Sequence, residues 1–121
     1  MKQPASESAT LERGQIVLVD FGERGQAEVS FKRPAVVVTN NFANYYAPLV
    51  TVIPITSQGL DNIYPMQLLL PYTQTGLPKD SKAQVELIGH IRKDRIVRPV
   101  GRLSAELLGE LDRRIREHLA L

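Results

Sequence analysis

The apolar residues of this chain change period near residue 104, and that change most narrows the folds open to it. Before it they come in short β-branched runs cut by glycine and proline; after it they recur at helical spacing. In the C-terminal stretch Leu107, Leu108, Leu111, Ile115 and Leu119 share one face, Ser104 stands where an N-cap belongs, and Leu103 can staple against Leu108. Glu106 in the first turn, and Arg113, Arg114 and Arg116 toward the end, agree with the helix dipole. One terminal amphipathic helix is predicted.

Upstream, Gln15 to Phe21 reads as a strand between Gly14 and Gly22, and Gly22 to Gly25 as a loop. A second strand runs from Ala35 to Thr39, with Pro34 at its start because proline has no N–H to give a central ladder. Asn40 to Pro48 reads as a loop. Val50 to Ile55 is a third strand, whose Pro54 predicts that the last residues sit on an edge or leave the ladder. Met66 to Leu70, the alternating Ala83 to Leu87, and Val97 to Leu103 follow, separated by turn-rich connections. About six short strands and one helix predict a mainly β fold with α, a small antiparallel barrel or curled sheet with the helix packed on it. The polar, aperiodic start predicts a flexible tail over residues 1–11, and the 121-residue length leaves room for one domain, over 12–121.

Composition closes off several chemistries. There is no cysteine, hence no disulfide, thiol nucleophile or Cys-rich metal centre, and two imidazoles, His90 and His118, argue against a His-based metal cage. No cofactor is expected. The N-terminus lacks the apolar core of a secretory signal, and no apolar run approaches the ~18 residues of a membrane span, so the expected location is cytoplasmic. The net charge of +2 is uneven: Arg92, Lys93, Arg95, Arg98 and Arg102 face only Asp94 within residues 89–102. That stretch is either a footprint for phosphates or a solvated face balanced by other segments.

Without a metal motif, a phosphate-cradling glycine loop or a nucleophile elbow, chemistry must come from Arg, Glu, Ser/Thr and His. Attack of an RNA 2′-hydroxyl on its adjacent phosphate fits that set, because the substrate brings its own nucleophile. The protein then supplies a base, a cation for the phosphorane charge and a donor for the leaving oxygen. Arg33 is the best cation candidate, permanently charged and able to grip two phosphate oxygens. Thr56 and Ser57 end a strand where hydroxyls either face a ligand or cap a turn. Glu28 is a base or an ion-pair partner, and His90 a proton exchanger or an ordinary packed histidine. Tyr45 and Tyr46 either stack on splayed bases or anchor their loop.

In order along the chain stand Arg13-Gly14-Gln15-Ile16-Val17-Leu18-Val19-Asp20-Phe21, then Lys32-Arg33-Pro34-Ala35-Val36-Val37-Val38-Thr39-Asn40, then Val52-Ile53-Pro54-Ile55-Thr56-Ser57-Gln58. Leu77-Pro78-Lys79-Asp80-Ser81 and Gly101-Arg102-Leu103-Ser104 follow. Together they resemble the MazF/PemK family of toxins from bacterial type II toxin–antitoxin systems. The resemblance implies an SH3-like barrel that forms a homodimer. It also implies metal-independent cleavage of single-stranded RNA to a cyclic phosphate and a 5′-hydroxyl. The catalytic residues it implies are Arg33, Thr56 and Glu28. The adjoining Lys32, Asn40, Ser57 and Gln58, with His90 and Arg92 of the basic stretch, are the expected substrate contacts. A cognate antitoxin is the implied partner, with a disordered segment that folds across the RNA groove; operator DNA would be contacted only through it. Two departures from the family pattern, Val29 after Glu28 and Leu87 after Glu86, remove polar groups that could touch RNA. The alternatives are a barrel that binds RNA or a protein without cleavage, and an inhibitor of a protein target such as DNA gyrase.

Overall fold

The computed structural model describes residues 11–23 and 30–121. Three strands form its centre: β1 (Gln15–Glu23), β2 (Ser30–Val37) and β3 (Leu49–Thr56), paired antiparallel. Because side chains alternate along a strand, these runs feed two apolar layers. Ile16, Val36, Ile53 and Ile55 enter one layer, and Val17, Val19, Ala35, Val37, Val50 and Val52 the other, each at most 1% exposed. Burial on both faces is why the three strands read as nearly continuous apolar runs.

Four further strands complete the sheet: β4 (Gln67–Leu70), β5 (Ser81–Gln84), β6 (Gly89–Arg92) and β7 (Ile96–Arg102). The order is β4-β5-β3-β2-β1-β7, with β6 also paired to β3, and every pairing is antiparallel. A short helix α1 (Asn41–Tyr46) precedes β3, and helix α2 (Ala105–Leu119) ends the chain. The first layer also takes in Leu68, Leu70, Ala83, Leu103 and Leu111, with Leu107, Leu108 and Ile115 of the helix packed against it. The second also takes in Leu11, Phe21, Ile91 and Ile96. The result is the expected mainly β fold with α, a curled antiparallel sheet with a C-terminal helix, but with seven strands among the described residues.

The helix begins where predicted, with the Ser104 hydroxyl accepting from the Leu107 N–H at 3.1 Å. It is tied to the sheet by Arg13, whose guanidinium donates to both Asp112 oxygens at 3.2 and 2.8 Å and to the Val38 carbonyl at 2.7 Å. None of the helices among the described residues is long and apolar enough to cross a membrane. Between β7 and the preceding connection, Gly101 passes so close to Thr75 that a Cβ there would sit 1.9 Å from the Thr75 carbonyl oxygen.

The strand and loop expectations need correction at several points. Gly22 and Glu23, expected in a loop, extend β1. Pro34 lies inside β2, opposite Leu18; the β2–β3 ladder ends one residue later, at Ala35 opposite Pro54, so the missing N–H interrupts no pairing with β3 there. Pro54 marks an exit from one ladder into another: the pairing of β3 with β2 ends there, and the last residues stay paired on the other side rather than on a free edge. Leu49 to Val52 pair with β6 and Ile55 and Thr56 with β5, and Pro54 occupies the gap where β3 changes neighbours. The alternating Ala83–Leu87 run is strand only to Gln84; Val85–Leu87 is a 3₁₀ turn that buries Val85 in the first layer. The expected Asn40–Pro48 loop holds α1, with the Asn40 side chain capping it through the Ala43 N–H.

Candidate active site

The β2–β3 register places Ala35 opposite Pro54 and Val36 opposite Ile53. Continued along the same diagonal, it brings Arg33 opposite Thr56, which in turn pairs with Lys82 of β5. Residues directly opposite in antiparallel strands share a face, so one cross-strand row carries all three. The side chains meet accordingly: Arg33 Nη2 donates to Thr56 Oγ1 at 3.2 Å. The Gln58 backbone N–H donates to the same oxygen at 3.1 Å. A hydroxyl has two acceptor lone pairs and one proton. With both lone pairs taken, the Thr56 proton is left to be donated elsewhere. Thr56 is only 7% exposed, and the Arg33 guanidinium lies 5.1 Å from the Phe31 ring centroid, a cation–π contact that holds its plane.

These groups open on a cleft of about 210 Å³ whose walls include Lys32, Arg33, Thr56, Ser57, Gln58 and Lys79. Among the described residues that line it there are three cations and no carboxylate. Chemically it suits an anion such as a phosphodiester, with one forked donor, two point charges and a buried hydroxyl. Lys32, Arg33, Thr56, Ser57 and Gln58 of the expected site are therefore brought together. Lys79 was passed over, and its sequence signal was its place in the Leu77–Ser81 segment of the resemblance. Lys82 was also passed over. It is 5% exposed, and its Nζ donates to the carbonyls of Gly59 at 2.9 Å and Asn62 at 3.1 Å, 5.9 Å from the Tyr64 ring centroid. No local signal marks it; only the pairing with Thr56 does.

The remaining candidates lie elsewhere. Glu28 falls outside the described residues. His90 and Arg92 are on β6 opposite Thr51 and Leu49, which at the rise of a strand puts His90 roughly 17 Å along β3 from Thr56. They line a separate cleft of about 420 Å³ with Asp20, Phe21, Leu49 and Arg95. They do not share the Arg33 cleft. Asn40 lies past the far end of β2, its side chain engaged as the α1 cap. Tyr45 and Tyr46 are both exposed and lie edge to face at 4.7 Å; α1 is anchored instead by Asn44, which donates to the Thr39 carbonyl. The basic stretch is partly balanced locally, Arg92 by Asp94 and Arg102 by Glu12. The Arg92 hydrogen bond holds the Asp94 carboxyl below the usual carboxylate range, Asp94 raises Arg92 in return, and burial lowers Lys93.

Comparison with known proteins bears on what this arrangement serves. Residues 12–119 match the family described as PemK-like, MazF-like toxin of type II toxin-antitoxin system. The chain is 43% identical over 116 residues to the endoribonuclease MazF9 of Mycobacterium tuberculosis, covering 92% of this chain and 98% of that protein. It is 26% identical over 111 residues to the endoribonuclease EndoA of Bacillus subtilis, covering 92% and 96%. In three dimensions it is similar to a chain of a MazE–MazF crystal structure from Deinococcus radiodurans, with a TM-score of 0.75 over 92% of this chain and 97% of that one. At 19% identity that likeness is one of fold. On the family match and the relative at 43% identity, the chain belongs to the PemK-like, MazF-like toxins of type II toxin–antitoxin systems.

Proposed function

We propose that this chain is an endoribonuclease that cleaves single-stranded RNA by attack of a 2′-hydroxyl on the adjacent phosphate, without a metal cofactor. The observation that carries the reading is the Arg33–Thr56 hydrogen bond inside a cleft lined by three cations. In the reaction a bond forms between the 2′-oxygen and phosphorus, and the bond from phosphorus to the 5′-oxygen breaks. Products are a 2′,3′-cyclic phosphate and a 5′-hydroxyl. Arg33 grips the non-bridging oxygens as charge builds on them, and the Thr56 proton, turned away from its two donors, bonds to one of them. Glu28 takes the 2′-hydroxyl proton, a role it holds by its position in the family motif, and the leaving 5′-oxygen is protonated from the resulting acid or from water. Lys32, Ser57, Gln58 and Lys79 hold the flanking nucleotides.

His90, Arg92 and Asn40 contact RNA beyond the reacting phosphate or from the second protomer of a homodimer. A cognate antitoxin silences the enzyme in the cytoplasm, and operator DNA is met only through that partner. Support for the partner comes from the related MazE–MazF structure and from a mycobacterial endoribonuclease solved with its cognate antitoxin. The test is incubation of a single-stranded RNA pool with purified protein in EDTA. New 5′-hydroxyl ends are expected from the native protein and not from Arg33→Ala. Salt-sensitive RNA retention without new ends would instead mark a non-catalytic binder. Inhibited DNA supercoiling over intact RNA would mark a gyrase-type inhibitor.

A further inference from the structure

Lys82 belongs to the same cross-strand row as Arg33 and Thr56, yet it does not line the cleft. Burying an ammonium is costly unless its donors are satisfied, and nothing in strand pairing requires one at this position. Its flanking strand residues Ser81 and Ala83 are buried as well, so a β-forming apolar side chain would serve the ladder. The ammonium is instead spent on the turn after Thr56. It donates to the Gly59 and Asn62 carbonyls under the Tyr64 ring, and lies 3.4 Å from where a Cβ on Gly59 would stand. Gly59 has φ +66°, so the chain reverses there in a conformation that side chains disfavour. The segment is thus held at both ends: by Arg33 on the Thr56 hydroxyl, and by Lys82 on the Gly59 carbonyl. Between them the Gln58 N–H donates to Thr56 Oγ1.

We propose that Lys82 is a positioning residue. It fixes the Ser57–Gly59 turn, thereby keeps the Gln58 N–H on Thr56 Oγ1, and so keeps the Thr56 proton turned toward the cleft. This rests on the ribonuclease reading for its effect on rate, though not for its effect on the turn. Lys82→Met retains length and burial while removing the charge. Steady-state cleavage of a short single-stranded RNA should show kcat down about tenfold, a fraction of the 10²–10³ lost when an oriented donor is deleted outright. KM should stay within about twofold, because the cleft cations are untouched. In RNA-free protein, NMR should show the Gln58 amide exchanging with solvent about tenfold faster, with β1 amides unchanged. Tyr64→Leu removes the ring beside the ammonium together with the hydroxyl that accepts from Asn62 Nδ2, so it is read against Tyr64→Phe, which removes the hydroxyl alone. Relative to Tyr64→Phe it should move both readouts in the same direction by a smaller factor, and that difference decides the matter if Lys82→Met fails to fold. Native kcat in a folded Lys82→Met protein, or a lowered kcat with Gln58 exchange unchanged, overturns the proposal. If the native protein cleaves no RNA, the ribonuclease reading falls, and the exchange measurement still decides whether Lys82 holds the turn.

Discussion

Replacing Thr56 by valine preserves shape and removes only the hydroxyl, so it separates the contacts this residue makes in the fold from its proposed part in cleavage. The hydroxyl accepts from Arg33 at 3.2 Å and from the Gln58 N–H at 3.1 Å. Each bond contributes about 1 kcal/mol net to stability. Arg33 is half-buried and Gln58 exposed, so water can reach the donors left behind, and the folding cost is about 1–2 kcal/mol. A domain with the usual margin of about 5–15 kcal/mol stays folded after such a loss. The catalytic cost is larger. Deleting an oriented donor at a phosphate should lower kcat by about 10²–10³. Urea unfolding and initial cleavage rates of the same preparation give both numbers. Thr56→Ser keeps the hydroxyl and should retain kcat within about fivefold, losing about 1 kcal/mol of stability for the buried methyl. A folded Thr56→Val protein with more than about a tenth of native kcat, or a Thr56→Ser protein as impaired as Thr56→Val, would refute the argument.

Three further outcomes follow from the fold. Gly101→Ala drives a Cβ to 1.9 Å from the Thr75 carbonyl oxygen, a backbone contact that no rotamer relieves, and should cost roughly 3 kcal/mol or more, lowering the thermal midpoint by roughly 10 °C. A midpoint within about 2 °C of native would contradict the close approach of β7 to Thr75. Asp112→Ala leaves Arg13 without its bidentate partner; with both side chains about 30% exposed, about 1 kcal/mol of stability should be lost in urea titration, with kcat unchanged. The third concerns pH. Asp94 is held low chiefly by its hydrogen bond from Arg92, so any stability it contributes is present above the ordinary unfolded value of about 3.9 and lost as pH falls through the lowered folded value. Carboxyl ¹³C NMR should show Asp94 titrating below the ordinary aspartate value, and Arg92→Ala should bring it back toward that value.

How far the sequence discloses the molecule depends on whether a feature is local. The terminal helix was legible because its cap, period and dipole residues are contiguous, and the Ser104 cap is where the residues put it. Arg33 and Thr56 were legible for a different reason, as separate motifs whose chemistry converged on one reaction; their contact required only that β2 and β3 pair in the observed register. Lys82 was invisible because a lysine in Ser81-Lys82-Ala83 looks solvent-facing until β5 is laid beside β3. Helix α1 escaped because it is too short to show a period, and its one buried residue is the polar Asn44 rather than Phe42, Tyr45 or Tyr46. Strand β6 escaped because Gly89-His90-Ile91-Arg92 has only one apolar side chain turned inward. The same gap hid the distance between His90 and the Arg33 cleft. The expected substrate contacts join His90 and Arg92 to Ser57 and Gln58, which lie past the opposite end of β3.

The central claim is that the substrate supplies the nucleophile while Arg33 and Thr56 stabilise the charge that forms. The direct measurement uses a single-stranded RNA with one mapped cleavage position, assayed in EDTA beside the same strand carrying a 2′-deoxy nucleotide there. Cleavage of the first to a 2′,3′-cyclic phosphate and a 5′-hydroxyl is predicted, with no cleavage of the second at that position despite equal binding. Cutting of the deoxy-substituted strand at the same bond would contradict the account.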